Sequence, residues 1–247
     1  MFKYTSVAAL AVMTHTVSVW AVTVPFIEEF EAGPSDWFDS AGLSPLNWSA
    51  AGGPDGGAHA LTTFNLATLA DGDTPALFRA QDEFDSSGGA FEGDWISGGV
   101  AEFRAFVRHD APFPQSFFVR FSSPINFPGA IAVQFVPVFS DTWTEIVIDI
   151  DPENPQLVSF EGSDFVTVFS NIGHVQVGIT VGEGQGGFPV DITFDLDKVA
   201  IGDCTANDSC EPAAVPTASH WAATSLTLIL LTAGTLRCGR YGRRTLT

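Results

Sequence analysis

The sequence predicts an all-β fold, an antiparallel β-sandwich, on three observations. Period-two alternation of apolar and polar residues recurs between Val22 and Pro212, Gly, Pro, Asn and Asp punctuate it at short intervals, and no long segment carries a helical period. A parallel α/β fold needs amphipathic crossover helices, and this chain offers none. No repeat of 20 to 50 residues suggests a solenoid or propeller.

The clearest strand is 143–150 (WTEIVIDI), where Thr144, Ile146, Ile148 and Ile150 point one way and Glu145 and Asp149 the other. Similar alternation predicts strands over 100–108, 117–121, 131–138, 165–169, 174–181 and 190–196. Between them lie breakers: Pro112 and Pro114, Pro124 and Pro128, Asp151-Pro152 with Asn154-Pro155, and the glycine-rich 182–187. Asp149 to Glu153 carries carboxylates but has Pro152 where a calcium loop needs its turn, so it reads as a strand end and a turn. The 22 phenylalanines alternate within strands and mostly belong to the layer between two facing sheets.

The two ends differ from the middle. Residues 1–21 read as a secretory signal: Lys3 supplies the positive start, 7–13 the apolar stretch, and Val19-Trp20-Ala21 the small-residue cleavage site. Thr14 and His15 break the apolar run, which is too short to span a bilayer. At the other end, 221–236 (WAATSLTLILLTAGTL) is uncharged and is followed by Arg237, Arg240, Arg243 and Arg244. That is a short membrane helix whose arginines stay in the cytoplasm, placing the body outside. The expected organisation is thus a signal peptide over 1–21, a β-sandwich over 22–203, a linker over 204–214 and a C-terminal hydrophobic helix within 215–247.

Just before that helix stand Val215, Pro216, Thr217, Ser219 and Trp221. Pro-Thr-x-Ser-x-Trp, an apolar helix and a terminal arginine cluster resemble the bacterial sorting tails of the PEP-CTERM and IPTL-CTERM type. The IPTL variety usually has glutamate where His220 stands. The resemblance implies recognition by an exosortase-like sorting protease at the membrane, removal of the tail, and delivery to the cell surface or extracellular space. The alternative is a plain C-terminal anchor of the same orientation.

All 29 acidic residues lie between Glu28 and Glu211, against five basic ones there: Arg79, Arg104, Arg108, Arg120 and Lys198. Five against 29 is a formal charge of −24. Such a field repels phosphate backbones, so nucleic acid is excluded as a partner. It fits a solvated, soluble exported surface, or carboxylates that hold Ca²⁺, which takes oxygen ligands. Cys204 and Cys210, spaced C-x5-C in a polar loop, form the one even pair of the exported part, suited to a small disulfide loop or left as two thiols. Two sulfurs with no nearby histidine do not make a zinc site.

A second resemblance rests on the order of landmarks. Phe30-Glu31-Ala32-Gly33 and Asp36-Trp37 are followed by Trp48 and the turn from Gly52 to Gly57, then Gly93-Asp94-Trp95 with Gly98-Gly99, and last a closing strand from Phe194 to Val199. This is similar to the jelly-roll sandwiches of the galactose-binding-like superfamily, including laminin IV type A domains and several carbohydrate-binding modules. Lys198 stands where their closing strand often has a second aspartate. The resemblance implies a calcium ion stapling the first strand to the last through Glu31, Asp197 and the loop around Asp55. A solvated acidic face, or Lys198 serving one of these carboxylates, is the alternative.

Polysaccharide is the expected ligand class. Sugars stack on aromatic faces and bond to carboxylates, amides and arginine. Trp48 and Trp95, in glycine-rich surroundings, and Arg104 are the expected contacts, with simple packing for the tryptophans as the alternative and, for Arg104, which shares the polar side of its strand with Glu102 and Arg108, a cross-strand ion pair. No enzyme is expected. His59, His109 and His174 have no metal-ligand spacing, and there is no G-x-S-x-G elbow. Paired carboxylates of a glycoside hydrolase are a spatial feature that sequence spacing does not display.

Overall fold

The strand over Glu102–His109 shows why the chain folds as it does. Phe103, Ala105 and Val107 are fully buried on one side, while Arg104, Phe106 and Arg108 on the other are only partly covered. A strand with one apolar face needs a second sheet against it, and the chain supplies one. A computed structural model describes residues 22–202.

In chain order the strands are β1 (Phe26–Glu28), β2 (Asn47–Ser49), β3 (His59–Asn65), β4 (Ala76–Gln81), β5 (Glu102–His109), β6 (Ser116–Ser122), β7 (Gly129–Val133), β8 (Thr144–Asp149), β9 (Leu157–Ser159), β10 (His174–Thr180) and β11 (Asp191–Gly202). Two short helices, α1 (Trp95–Gly98) and α2 (Phe165–Phe169), and 3-10 turns over Asp82–Phe84 and Ser86–Gly89 complete the chain. One sheet has the order β2-β3-β11-β5-β8 with β1 also paired to β11, and the other is β4-β10-β6-β7-β9. All pairings are antiparallel. This is the antiparallel β-sandwich that the alternation predicts, in the jelly-roll form that the family resemblance implies.

Aromatic rings fill the space between the sheets. Phe103 of β5 meets Phe121 of β6 edge-on at 5.3 Å, and Phe194 of β11 meets Phe117 of β6 at 6.3 Å. Each such fully buried side chain contributes about 1.5–3 kcal/mol.

Two predicted strands are otherwise. Residues 165–169 form α2, because Asp164 caps the segment by accepting the Thr167 N–H at 2.8 Å, and the i, i+4 pair Phe165 and Phe169 packs ring to ring at 4.7 Å. FVTVF alternates, but its two ends also match one helical turn. The strand over 131–138 stops at Val133. Pro137 cannot donate to a ladder, and the segment leaves as a loop with Phe135, Val136 and Phe139 exposed. Strands β1, β2, β3, β4 and β9 lie outside the segments whose alternation predicts strands.

β11 changes partner along its length. On one side β3 pairs with Asp191 to Leu196 and β1 with Val199 to Ile201. The register with β5 slips by one residue between Asp197 and Ala200, and Lys198 there has φ 47°. Asp197 and Lys198 thus face the gap between β1 and β3.

The signal peptide, the Cys204–Cys210 pair, the sorting motif and the C-terminal helix lie outside the described residues. Among the described residues, no helix is long and apolar enough to cross a membrane.

Candidate functional site

The outer face of the second sheet carries a cleft of about 490 Å³. Its floor follows from register. Gln176 of β10 stands opposite Arg79 of β4 on one side and Arg120 of β6 on the other, and Arg120 stands opposite Ile131 of β7. One row along, Phe118 lies beside Gly178 and Val133. A Cβ at Gly178 would come within 2.6 Å of the Phe118 ring and 2.4 Å of the Pro75 carbonyl, so the bare glycine lets the ring lie across the sheet. Val158 and Ile131 add an apolar wall, and Thr74 and Thr180 supply hydroxyls.

The two arginines differ in what they are free to do. Arg120 is held bidentately by Glu161 at 2.6 and 2.7 Å and donates to Asn126 Oδ1 at 2.8 Å and to the Asn126 carbonyl at 2.6 Å. Its fork is spent on structure. Arg79 donates Nε–H to the Ser40 carbonyl at 2.9 Å and, alone among the basic side chains of the described residues, has no carboxylate within 4 Å. Burial first, and then the neighbouring Arg120 charge, lower its basicity, yet an arginine stays charged. Arg79 therefore presents unpaired donors to the cleft beside the Gln176 amide.

The three residues expected to meet sugar lie elsewhere and apart. Trp95 is the correction: it is fully buried in α1, its indole N–H donates to the Phe91 carbonyl at 2.8 Å, and its ring packs on Phe121 and Phe169. No face of it is open to a ligand. Trp48 lies on the edge strand β2, 39% exposed, with its N–H donated to the Phe30 carbonyl. Arg104 sits on the outer face of the first sheet, paired with Glu102 and, at 3.0 Å, with Glu145. The ion-pair alternative describes it.

Of the carboxylates implied for calcium, Glu31 and Asp55 both approach Gly57, while Asp197 lies under Gly53 of the same loop, and the three do not offer oxygens all within 4.8 Å of one another. The loop from Gly52 to Gly57 folds over Asp197: an ideal Cβ on Gly53 would fall 2.7 Å from Asp197 Oδ2, 2.8 Å from the Ala58 carbonyl and 3.1 Å from the Gly57 carbonyl. On the far side, Gly57 approaches Asp55 Oδ1 and Glu31 Oε1, 3.0 and 3.2 Å from its Cβ position. Asp197 is buried, and burial pushes its carboxyl up to about 7 even though Oδ1 accepts the Lys198 N–H at 2.7 Å. Lys198 Nζ lies 2.8 Å from Asp55 Oδ2, and this hydrogen bond lowers the Asp55 carboxyl. The alternative in which Lys198 serves one of these carboxylates describes Asp55.

Asp191 and Asp195, at the same alternating positions of β11 as Asp197, are relieved by protein groups. Asn65 Nδ2 donates to Asp191 at 2.9 Å, and Arg108 Nε to Asp195 at 2.7 Å. Arg108 also lies 4.7 Å above the Trp143 ring, and that indole donates to the Gly52 carbonyl at 2.9 Å.

The cleft residues escaped sequence reasoning, although one signal pointed to them. Only five basic residues serve 29 acidic ones, and Arg79 and Arg120 are two of the five.

No family model matches the chain, and no curated protein matches its sequence. Among solved structures, it is similar to the CBM22-1 and GH10 modules of the Clostridium thermocellum endo-1,4-beta-D-xylanase 10B in complex with xylohexaose, at 16% identity and TM-score 0.46, over 76% of this chain and 30% of that one. This chain therefore spans less than a third of the xylanase chain. It is similar also to the family 11 carbohydrate-binding module of the Clostridium thermocellum cellulase Lic26A-Cel5E, at 11% identity and TM-score 0.42, over 73% of this chain and 95% of that one. The L4b domain of human laminin alpha-2 matches at 11% identity and TM-score 0.32, over 72% and 97%.

Proposed function

We propose that this protein is an exported, non-catalytic surface or extracellular matrix protein that binds a neutral polysaccharide in the cleft of the second sheet. The observation that carries the reading is the row Arg79, Gln176 and Arg120 across β4, β10 and β6, with an unpaired guanidinium beside an apolar wall. A sugar ring offers hydroxyls around its rim and C–H groups on its faces, and such a floor answers both. The −24 formal charge of the exported part repels polyanions and so favours an uncharged chain.

Calcium belongs to the same reading. Glu31, Asp55 and Asp197, with the Gly57 and Ala58 carbonyls, hold the ion between the first and last strands, where it supplies the positive charge that buried Asp197 otherwise lacks. The pattern of both chain ends supports export, with the membrane and an exosortase-like protease as partners of the tail.

The test is calorimetric titration of the protein with a panel of neutral and acidic polysaccharides. Saturable binding of a neutral chain that weakens at least tenfold in Arg79→Ala, a loss of about 1.4 kcal/mol, is the expected result. A flat response across the panel from folded protein would leave a purely structural surface protein as the better reading.

A further inference from the structure

A corner beside the cleft gathers three groups of another kind. The 3-10 turn after β4 brings Asp82 and Glu83 against His174, the first residue of β10, although 91 residues separate Glu83 from His174. Asp82 Oδ1 and Glu83 Oε2 each lie 3.0 Å from His174 Nε2, and one donor atom from each residue falls within 4.8 Å of the others.

The imidazole is held in a defined state. Its side chain is 2% exposed. Its other nitrogen, Nδ1, faces Asn126 Oδ1 at 3.4 Å, and that atom accepts an Arg120 N–H at 2.8 Å. An atom that accepts from arginine is the amide oxygen, so Nδ1 is the donor. In neutral imidazole Nε2 is then a lone pair aimed at two carboxylate oxygens. Three ligand atoms of metal-binding type thus face one space, each within 4.8 Å of the others. Glu92 adds to the negative surplus: its buried Oε1 has no hydrogen-bond partner, and it feels the Asp82, Asp85 and Glu83 charges.

We propose that Asp82, Glu83 and His174 bind a divalent transition-metal ion, zinc being the best fit, with Asn126 orienting the histidine from behind. One nitrogen and two carboxylate oxygens suit zinc rather than calcium. At bonds of about 2.0 Å, tetrahedral ligand atoms stand about 3.3 Å apart, close to the spacing already present. A ligating histidine whose other N–H meets an acceptor is the usual second contact of such a site. The Glu83 side chain is 54% exposed, which leaves an entry path and room for water as a fourth ligand. The site is independent of the polysaccharide reading and of the oxygen-only cluster at Asp197.

The experiment is titration of metal-stripped full-length protein with zinc chloride, read by calorimetry and by thermal melting, for the wild type and for Glu83→Gln, His174→Gln and Glu31→Gln. Because the thiols of Cys204, Cys210 and Cys238 add the same nonspecific background to every variant, the difference between proteins is the measure. A one-to-one event that raises the melting temperature, weakens tenfold or more in Glu83→Gln and His174→Gln, and persists in Glu31→Gln is expected. Zinc uptake unchanged in folded Glu83→Gln would overturn the proposal. So would the lack of any zinc event that differs between the wild type and His174→Gln.

Discussion

Gly53 and Asp197 are packed so closely that the glycine has no room for a side chain: a Cβ would stand 2.7 Å from the aspartate Oδ2. The Ala58 carbonyl, 2.8 Å from the same point, is backbone and cannot swing away. Gly53→Ala should therefore push the loop off the closing strand and cost about 1–3 kcal/mol, read as a lower denaturation midpoint. An unchanged midpoint would mean that the loop does not rest on Asp197.

Asp197 should impose a pH dependence of unusual sign for a carboxylate. Burial lifts its folded value to about 7 from the 3.8 of an aspartate in water, so between those values the folded protein keeps a proton that the unfolded chain releases. The favourable contribution of the neutral acid is whole below about pH 4 and is lost as pH rises toward 7, up to about 4 kcal/mol. Asp197→Asn should gain on the wild type as pH rises across that window, measured by urea unfolding from pH 4 to 8. Calcium at pH 8 should restore wild-type stability and leave Asp197→Asn unmoved. Parallel pH profiles for the two proteins would refute the assignment.

Arg120 and Arg79 should separate stability from binding. Arg120→Ala strips Glu161 and Asn126 of their donors and should cost about 2–4 kcal/mol. Arg79→Ala loses one bond to the Ser40 carbonyl and should cost roughly 1 kcal/mol while abolishing polysaccharide binding. Equal stability losses in the two would contradict the division of labour.

The tryptophans give a third contrast. Trp95→Ala should lose about 3–5 kcal/mol, because it empties the centre of a packed aromatic cluster. Trp48→Ala, on an edge strand and 39% exposed, should lose far less. Trp48 and the partly exposed Trp143 should respond to an added quencher such as acrylamide while Trp37 and Trp95 should not, and quenching of Trp95 in the native protein would place it at the surface.

Much of the sandwich is legible in the sequence because strand alternation is local. In 102–109 and 144–149 each residue's side is set by the pleat, whatever lies opposite, so Phe103 and Ile146 read as core and Arg104 as outward. Where the local pattern is ambiguous, tertiary contacts decided. Residues 165–169 alternate like a strand and fold as a turn of helix because Asp164 caps them and Phe169 finds the core. Trp95 looked like a loop residue among glycines, and only the approach of Phe121 and Phe169 buries it.

The sequence by itself determined the β class and the acidic field. Only the tertiary structure decided the cleft and the corner beside it. Arg79, Gln176 and Arg120 are separated by 41 and 56 residues and become neighbours through the order β4-β10-β6. The same order brings Asp82 and Glu83 to His174. Strand order is fixed by which apolar faces pack together across the whole chain, so it has no trace in the spacing of the residues it joins.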